Sequence, residues 1–168
     1  MQETPDTTGT HVAEESNIEA RLTSLGIRLP IAAKPVGAYV PAVRSGRWVF
    51  TSGQLPMTDG ALASKGIVGK DVTVEEAYRA ARVCCLNALA ALQAELGNLD
   101  RVTRVVKVTG FVASAVDFTA QPQVINGASE LLIEVFGDRG RHARSAVGVA
   151  VLPLNASVEL ELIAEVAS

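Results

Sequence analysis

The feature that most constrains the fold of this chain is a pair of apolar, β-branched runs near its C-terminal end. The runs cover residues 143–153 and 158–164, and a few turn-like residues separate them. In the second run aliphatic residues alternate with Glu159 and Glu161, which is typical of a strand with one buried face. We expect the two runs to form a β-hairpin. Arg144 lies at the start of the first run, so the hairpin would place an arginine and a carboxylate on paired strands. This pair is the best candidate for chemistry in the sequence.

Composition limits the class of protein. The 168 residues suffice for one domain with a sizeable core, and only 4% of them are aromatic, so Ala, Val and Leu must fill that core. Because 48% of the residues are hydrophobic, we expect self-association to cover part of the surface. The net charge of -3 argues against nucleic-acid binding, and no apolar run is long enough to span a membrane.

Residues 1–16 are expected to form a disordered acidic tail, because they are polar and contain acidic residues but no lysine or arginine. That composition does not fit a secretory signal peptide. Cys84 and Cys85 are adjacent and cannot pair with each other without strain. His142 is the only histidine outside the tail, so no zinc cluster is expected. The sequence therefore predicts a cytoplasmic protein that uses neither a metal nor an organic cofactor.

The first half of the chain predicts a short helix, a proline-containing connector and a hairpin. Ser16 is placed to cap a helix over residues 17–25, which Gly26 ends. The remaining elements are strands at residues 39–43 and 47–52 with a turn at 45–46, and a loop-rich stretch at 53–70.

The second half predicts two longer helices. Thr73 and Glu76 form a capping box that begins the first, and Gly97 ends it. Its apolar face consists largely of small residues, which favours close packing on a sheet. Gly127 lies within the second helix at some cost relative to alanine, so close packing is expected there too. The remaining segments are a strand at 104–113, the second helix itself at 117–136 and a glycine-containing loop at 137–142.

Together these elements predict the order β-β-α-β-α-β-β, typical of an α+β fold with both helices on one face of a mixed sheet. We divide the chain into a tail at 1–16, an N-terminal helix and connector at 17–34, and an α+β domain at 35–168. The uncovered sheet face needs self-association to bury its valines, which we expect to include Val108, Val112, Val147, Val149 and Val151.

Five pieces of the sequence resemble one known family and occur in that family's order. Ser-Gly-Gln-Leu-Pro at 52–56 and Ala-Arg-Ser at 143–145 are weak singly and specific together. By these pieces the chain resembles the RidA/YjgF family of small imine/enamine deaminases, also called the endoribonuclease L-PSP family. The resemblance covers residues 35–166, and its pieces are 37–40, 49–56, 106–112, 117–118 with Asn126, and 143–145 with 158–161.

The resemblance implies a chorismate-mutase-like fold and a homotrimer with three sites in clefts between subunits. It also implies that Arg144 is the arginine of the site. The chain departs from the family pattern at three positions. Ala146 stands where the family often has cysteine, Ser129 where an aromatic residue is common, and Ala38 where many members have proline. The chain also has an N-terminal helix and an extra loop before Arg144.

Arg144 is the central candidate for ligand binding. A guanidinium presents a planar fork of donors that binds a carboxylate through two hydrogen bonds. A 2-imino acid carries such a carboxylate beside its reactive C=N carbon, so binding the acid group holds that carbon for attack by water. The alternative is a salt bridge from Arg144 to a glutamate across strands or subunits. With the family resemblance, we favour the ligand role.

Glu159 is the candidate for orienting or activating the attacking water. If its carboxylate lies close to Arg144, its pKa should be lowered, which makes it a poor general base and leaves positioning of water as its main role. The alternative is an exposed glutamate without a role in catalysis. We interpret Glu161 as the structural member of the pair.

Five further residues are expected to bind substrate. Tyr39 would cover the ligand or donate a hydrogen bond, with interface packing as the alternative. Asn126 would donate its amide to the site or cap a loop. Ser52 and Gly53 end a strand, where glycine permits close approach of a ligand oxygen, although a simple turn explains them equally well. Ala146, two residues after the arginine, completes the set.

Together with the family resemblance, these residues imply hydrolysis of 2-imino or 2-enamino acids to 2-keto acids and ammonia. No cofactor is required, because a protonated C=N carbon is already electrophilic. The expected partners are a small imino or keto acid and two further copies of the chain. One alternative is a non-catalytic trimer that binds a small carboxylate metabolite as a sensor or regulator. A ribonuclease is disfavoured, because an acidic chain without a histidine pair or basic stripe lacks the means to hold RNA.

Overall fold

The structure is a computed structural model that describes residues 17–32 and 37–167. The predicted acidic tail, residues 1–16, lies outside the described residues. Across the described residues, every helix is too short or too polar to cross a lipid bilayer. The elements in chain order are α1 (Ile18–Ser24), β1 (Ala42–Ser45), β2 (Trp48–Thr51), β3 (Met57–Thr58), β4 (Ala61–Leu62), α2 (Val74–Leu96), β5 (Val102–Ala113), α3 (Gln121–Phe136), β6 (Ala143–Val149) and β7 (Val158–Val166).

The main sheet has five strands in the order β1-β2-β7-β5-β6. Strands β5 and β6 run parallel, whereas the other neighbours in the sheet are antiparallel. Helices α2 and α3 pack together on one face of the sheet, and β3 and β4 form a separate small hairpin. Apart from that hairpin, the order is the predicted β-β-α-β-α-β-β. The α+β class and the mixed sheet are therefore confirmed.

The predicted C-terminal hairpin is wrong. Strand β5 lies between β6 and β7 and pairs with both. The connection at 150–157 passes over the C-terminal end of β5, where Ser114 N–H donates to the Val149 carbonyl at 3.1 Å and Ala113 N–H to the Ser157 carbonyl at 3.0 Å. The physical reason is the strand–helix–strand unit β5-α3-β6, because a helical crossover joins parallel neighbours.

The two faces of the sheet have different environments. Along β7 the even-numbered residues are buried against the helices, and the odd-numbered residues lie on the opposite face, here called the open face. The prediction that Val108 and Val112 lie on the uncovered face is wrong, since both are fully buried in the core. Val147 is exposed on the uncovered face as predicted, and Val149 is partly buried, whereas Val151 is exposed but lies beyond the end of β6. The exposed apolar residues of the open face are Val43, Trp48, Phe50 and Val147.

The helices pack closely because small residues line their contacts. The capping box of Thr73 and Glu76 is present, and Gly97 ends α2 with a positive φ of 78°. A Cβ at Gly127 would collide with the backbone carbonyl oxygen of Tyr78 on α2, so only glycine lets α3 lie this close. The close packing expected at Gly127 is confirmed.

Three predicted boundaries shift, each for a local reason. Helix α1 was predicted over residues 17–25 with Ser16 as its cap, and Ser16 lies outside the described residues. The helix begins at Ile18, and the side chain of Asn17 caps it by accepting from the Ala20 N–H at 2.9 Å. Strand β1 begins after Pro41, which lacks the N–H that a ladder requires, so residues 39–40 are outside the strand. Helix α3 begins at Gln121 rather than at residue 117, because Pro122 is tolerated only in a first turn.

Candidate functional site

Arg144 lies on β6 at the edge of the sheet, on the face that α3 covers. Its Nη1 donates to Asn126 Oδ1 at 2.8 Å and to Ser129 Oγ at 3.1 Å. These two acceptors are three residues apart on α3, so they occupy one face of the helix. The structure therefore brings together Arg144 and Asn126, two residues that the sequence analysis singled out separately.

The charge of Arg144 has no carboxylate partner within the described residues. The ion pairs in that part of the chain join Arg47 with Glu165, Arg79 with Glu75, Arg82 with Glu134, and Arg141 with Asp138. Arg144 is half-buried, and its acceptors Asn126 and Ser129 are both neutral. A guanidinium that is oriented but not neutralised is suited to bind an anion.

His142 extends this cluster. Its Nδ1 lies 2.6 Å from the Gly140 carbonyl oxygen, and its Nε2 lies 3.0 Å from Ser129 Oγ. Burial is the main cause that lowers the pKa of His142; the hydrogen bond to Gly140 opposes this effect, and the Arg144 cation adds to it. An open depression of about 220 Å³ lies above the cluster, and its lining consists of Ser129, Ile133, Arg141, His142 and Arg144.

The sequence predicted only that His142 lies in the loop at 137–142 and did not indicate this contact. Two sequence signals could have indicated it. Ser129 lies one helical turn after Asn126, and His142 lies two residues before Arg144. Residues at these spacings share one face of a helix and one side of an extended segment.

Glu159 lies in a different place, on the open face of β7. A Cβ at Gly53, just beyond β2, would collide with the Glu159 carboxylate, so this glycine makes room for the acid. Burial raises the pKa of Glu159, and the neighbouring Glu161 raises it further. The condition for the predicted lowering of the pKa, an Arg144 close by, is not met within one chain, where burial and a second carboxylate raise the pKa instead. A carboxylate with a raised pKa is a stronger base than an ordinary one.

Ser52 connects Glu159 and Gly53 to the segment that carries Tyr39. The Ser52 hydroxyl donates to the Val40 carbonyl at 2.6 Å, and its backbone N–H donates to the Pro41 carbonyl at 2.8 Å. Tyr39 is 52% exposed in the bend before β1. We call Ser52, Gly53 and Glu159 the Glu159 cluster, and Tyr39 lies next to it in the chain, one residue before Val40.

We call Arg144, Asn126, Ser129 and His142 the Arg144 cluster. Within one chain it does not meet the Glu159 cluster. Arg144 pairs with Val108 on β5, whereas Glu159 pairs with Phe111 on the other side of that strand. Val108 faces the helices and Phe111 the open face, so the two side chains leave the sheet on opposite faces. Two strand spacings of about 4.8 Å also separate β6 from β7. The predicted arginine–carboxylate pair on neighbouring strands is therefore absent from the described chain.

Ala146 lies on the same face of β6 as Arg144, where its methyl group packs against the core. Nucleophilic chemistry by the cysteines is unsupported, because both are fully buried. Burial raises the pKa of Cys84 well above its ordinary value and raises that of Cys85 to about 12, so both thiols stay protonated.

Comparison with known proteins shows which family this chain resembles in sequence and fold. The family described as "YjgF/chorismate_mutase-like, putative endoribonuclease" matches residues 19–166. The chain is 48% identical to protein TCP17 of Trypanosoma cruzi over 92% of this chain and 97% of that protein. It is 33% identical to a 2-iminobutanoate/2-iminopropanoate deaminase of Dermatophagoides farinae, over 82% of this chain and 92% of that protein.

A solved structure with the same fold extends the comparison. The crystal structure of Atu1372, a protein of unknown function from Agrobacterium tumefaciens, matches with a TM-score of 0.84 and 49% identity. The match covers 92% of this chain and 96% of that one. Because the family match includes all ten helices and strands except the first residue of α1, the chain belongs to the YjgF/RidA family.

Proposed function

We propose that this protein hydrolyses 2-imino acids and their 2-enamino tautomers to 2-keto acids and ammonia. One observation carries the proposal: Arg144 is held by two neutral oxygens and has no carboxylate partner in the described chain. Such a group binds the carboxylate that every 2-imino acid carries. The resemblance to a 2-iminobutanoate/2-iminopropanoate deaminase supports the choice of reaction.

In the proposed reaction, water adds to the protonated imine carbon, and the resulting carbinolamine loses ammonia as its C–N bond breaks. The oxygen of water becomes the keto oxygen, so the products are one 2-keto acid and one ammonia. Arg144 binds the substrate carboxylate, and Glu159 orients the water and accepts its proton. Glu159 then returns that proton to the leaving nitrogen. Within one chain burial raises the pKa of Glu159, and the cation of a facing Arg144 would oppose this rise.

The site requires two subunits, because Arg144 and Glu159 leave the sheet on opposite faces. In the proposed homotrimer, the β6 edge of one subunit meets the open face of the next. Arg144 of one subunit then faces Glu159 of the partner subunit. Exposed Trp48, Phe50 and Val147 on the open face support this arrangement, since large apolar side chains gain stability from being covered.

Arg144→Lys tests the proposal. Lysine keeps the charge but loses the donor fork, so binding of 2-ketobutyrate should weaken by about 1.5–3 kcal/mol. Isothermal titration calorimetry measures this, alongside release of 2-keto acid from 2-iminopropionate. Arg79→Lys is the matched control, because Arg79 is an exposed residue of α2, away from the open face, and this variant should bind and turn over like the parent. Unchanged imine hydrolysis by Arg144→Lys would refute the proposal.

A second candidate is a carboxylate sensor without turnover. It is favoured by the fact that one chain alone does not bring Glu159 to Arg144. Glu159→Gln separates the two functions: it should keep ligand binding and lose imine hydrolysis. A parent protein that binds 2-keto acids but never accelerates imine hydrolysis would replace the deaminase with the sensor.

A further inference from the structure

We propose that His142 is a positioning residue for Arg144 and that it acts through Ser129. In this arrangement a neutral imidazole orients the Ser129 hydroxyl, and the hydroxyl oxygen in turn orients the guanidinium that binds the substrate carboxylate. The inference rests on the proposed function of Arg144. It assigns a role to the His142 and Ser129 side chains, which the proposed reaction does not use.

The direction of each hydrogen bond follows from the donors and acceptors present. A guanidinium has only donors, so Ser129 Oγ accepts from Arg144 at 3.1 Å. The Gly140 carbonyl only accepts, so the hydrogen of the neutral His142 ring is on Nδ1, at 2.6 Å from that oxygen. Nε2 is then an acceptor, and the Ser129 hydroxyl donates its single hydrogen to it at 3.0 Å. The three contacts form one chain with a single consistent direction.

The surroundings of His142 favour the neutral ring that this chain requires. Arg144 and Arg141 line the same depression as His142, and both are cations. Asp138, the acid nearest in sequence, is paired with Arg141. Helix α3 contributes two residues to the lining of the depression, Ser129 and Ile133, and both are uncharged.

The acids of α3 contact α2 instead of the depression. Glu130 accepts from Tyr78 at 2.6 Å, and Glu134 pairs with Arg82 at 2.7 Å. Among the described residues, the depression therefore has no carboxylate in its lining that would stabilise an imidazolium. The lowered pKa of His142 agrees with this arrangement.

A double-mutant cycle tests whether His142 acts through Ser129. Ser129→Ala and His142→Leu should each weaken 2-ketobutyrate binding about 3- to 10-fold, the effect of one neutral hydrogen bond. The double variant should bind 2-ketobutyrate no more weakly than Ser129→Ala alone. Without the Ser129 hydroxyl, the His142 ring no longer acts on Arg144, so its removal has no further effect. His142→Gln should restore binding, because its amide oxygen can accept from Ser129. Ser24→Ala, on exposed α1, is the control for loss of a hydroxyl.

Nuclear magnetic resonance gives a readout independent of ligand binding. Ring ¹⁵N shifts of the parent at pH 7.5 should show the Nδ1–H tautomer of His142, and titration should place its pKa below that of an ordinary histidine. Additive losses in the cycle, or an Nε2–H tautomer, would overturn the inference while leaving Arg144 as the carboxylate binder. A parent that binds no 2-keto acid but shows the expected tautomer would instead refute the proposed function.

Discussion

At the scale of single residues, Gly53 decides where the Glu159 carboxylate can lie. The carboxylate occupies the space that a Cβ at position 53 would need. The backbone of Gly53 is not in the left-handed region, so the requirement for glycine at this position is steric rather than conformational. A simple turn explains the sequence at Gly53 equally well, but the close approach of Glu159 in the structure favours a place in the site.

Gly53→Ala should therefore displace Glu159 without damaging the fold. The colliding atoms are at the end of a flexible side chain, so the carboxylate can move away at small cost. Imine hydrolysis should fall by about 10-fold or more, because misplacing a catalytic group reduces the rate steeply. Steady-state kinetics should show the loss in kcat, with the melting temperature nearly unchanged. Full activity in this variant would show that the position of Glu159 does not matter.

At the scale of elements, glycines determine how closely the helical layer packs. Gly127 brings α3 against the backbone of α2 at Tyr78, and Gly110 lets Ile125 of α3 lie on β5. Both contacts hold α3 in place, and α3 carries Asn126 and Ser129. The position of Arg144's two acceptors thus depends on packing between elements.

Gly127→Ala should destabilise the protein by about 1–3 kcal/mol despite the better helix propensity of alanine. The new methyl group would meet the Tyr78 carbonyl oxygen, which belongs to the backbone and moves only if α2 and α3 separate. Urea unfolding measures the change. Gln123→Ala, at an exposed position in the same helix, should stay within about 0.5 kcal/mol of the parent. A variant at 127 as stable as the parent would contradict the packing argument.

At the scale of the whole molecule, the sheet has one covered face and one open face. The open face combines exposed Trp48, Phe50 and Val147 with Lys107 and carboxylates on β7. A depression of about 240 Å³ lies among these side chains, bounded in part by Phe50 and Lys107. A surface of this composition is suited to an interface that also encloses a polar site.

We expect light scattering to give three times the 17.6 kDa mass of one chain. Phe50→Glu should shift the protein towards monomers and abolish imine hydrolysis, because a buried unpaired charge opposes association. Ala94→Glu, on the exposed side of α2, is the control and should remain trimeric. A monomeric parent at micromolar concentration would contradict both the trimer and the site between subunits.

The features that depend on neighbours along the chain were predictable from the sequence. Residue type and spacing sufficed to predict the capping box at Thr73 and Glu76, the alternation of β7 and the close packing at Gly127. The family resemblance and the β-β-α-β-α-β-β order followed from the same local signals. Each depends on helix or strand periodicity, which a few residues suffice to specify.

Which strands are neighbours, and therefore which side chains meet, is known only from the folded chain. Adjacency along the chain indicated that β6 pairs with β7, but the crossover through α3 places β6 beside β5 instead. That change separates Arg144 from Glu159 and brings Ser129 and His142 to the arginine. Strand pairing is a long-range choice, set by how a complete helical layer covers the sheet, and no local pattern specifies it.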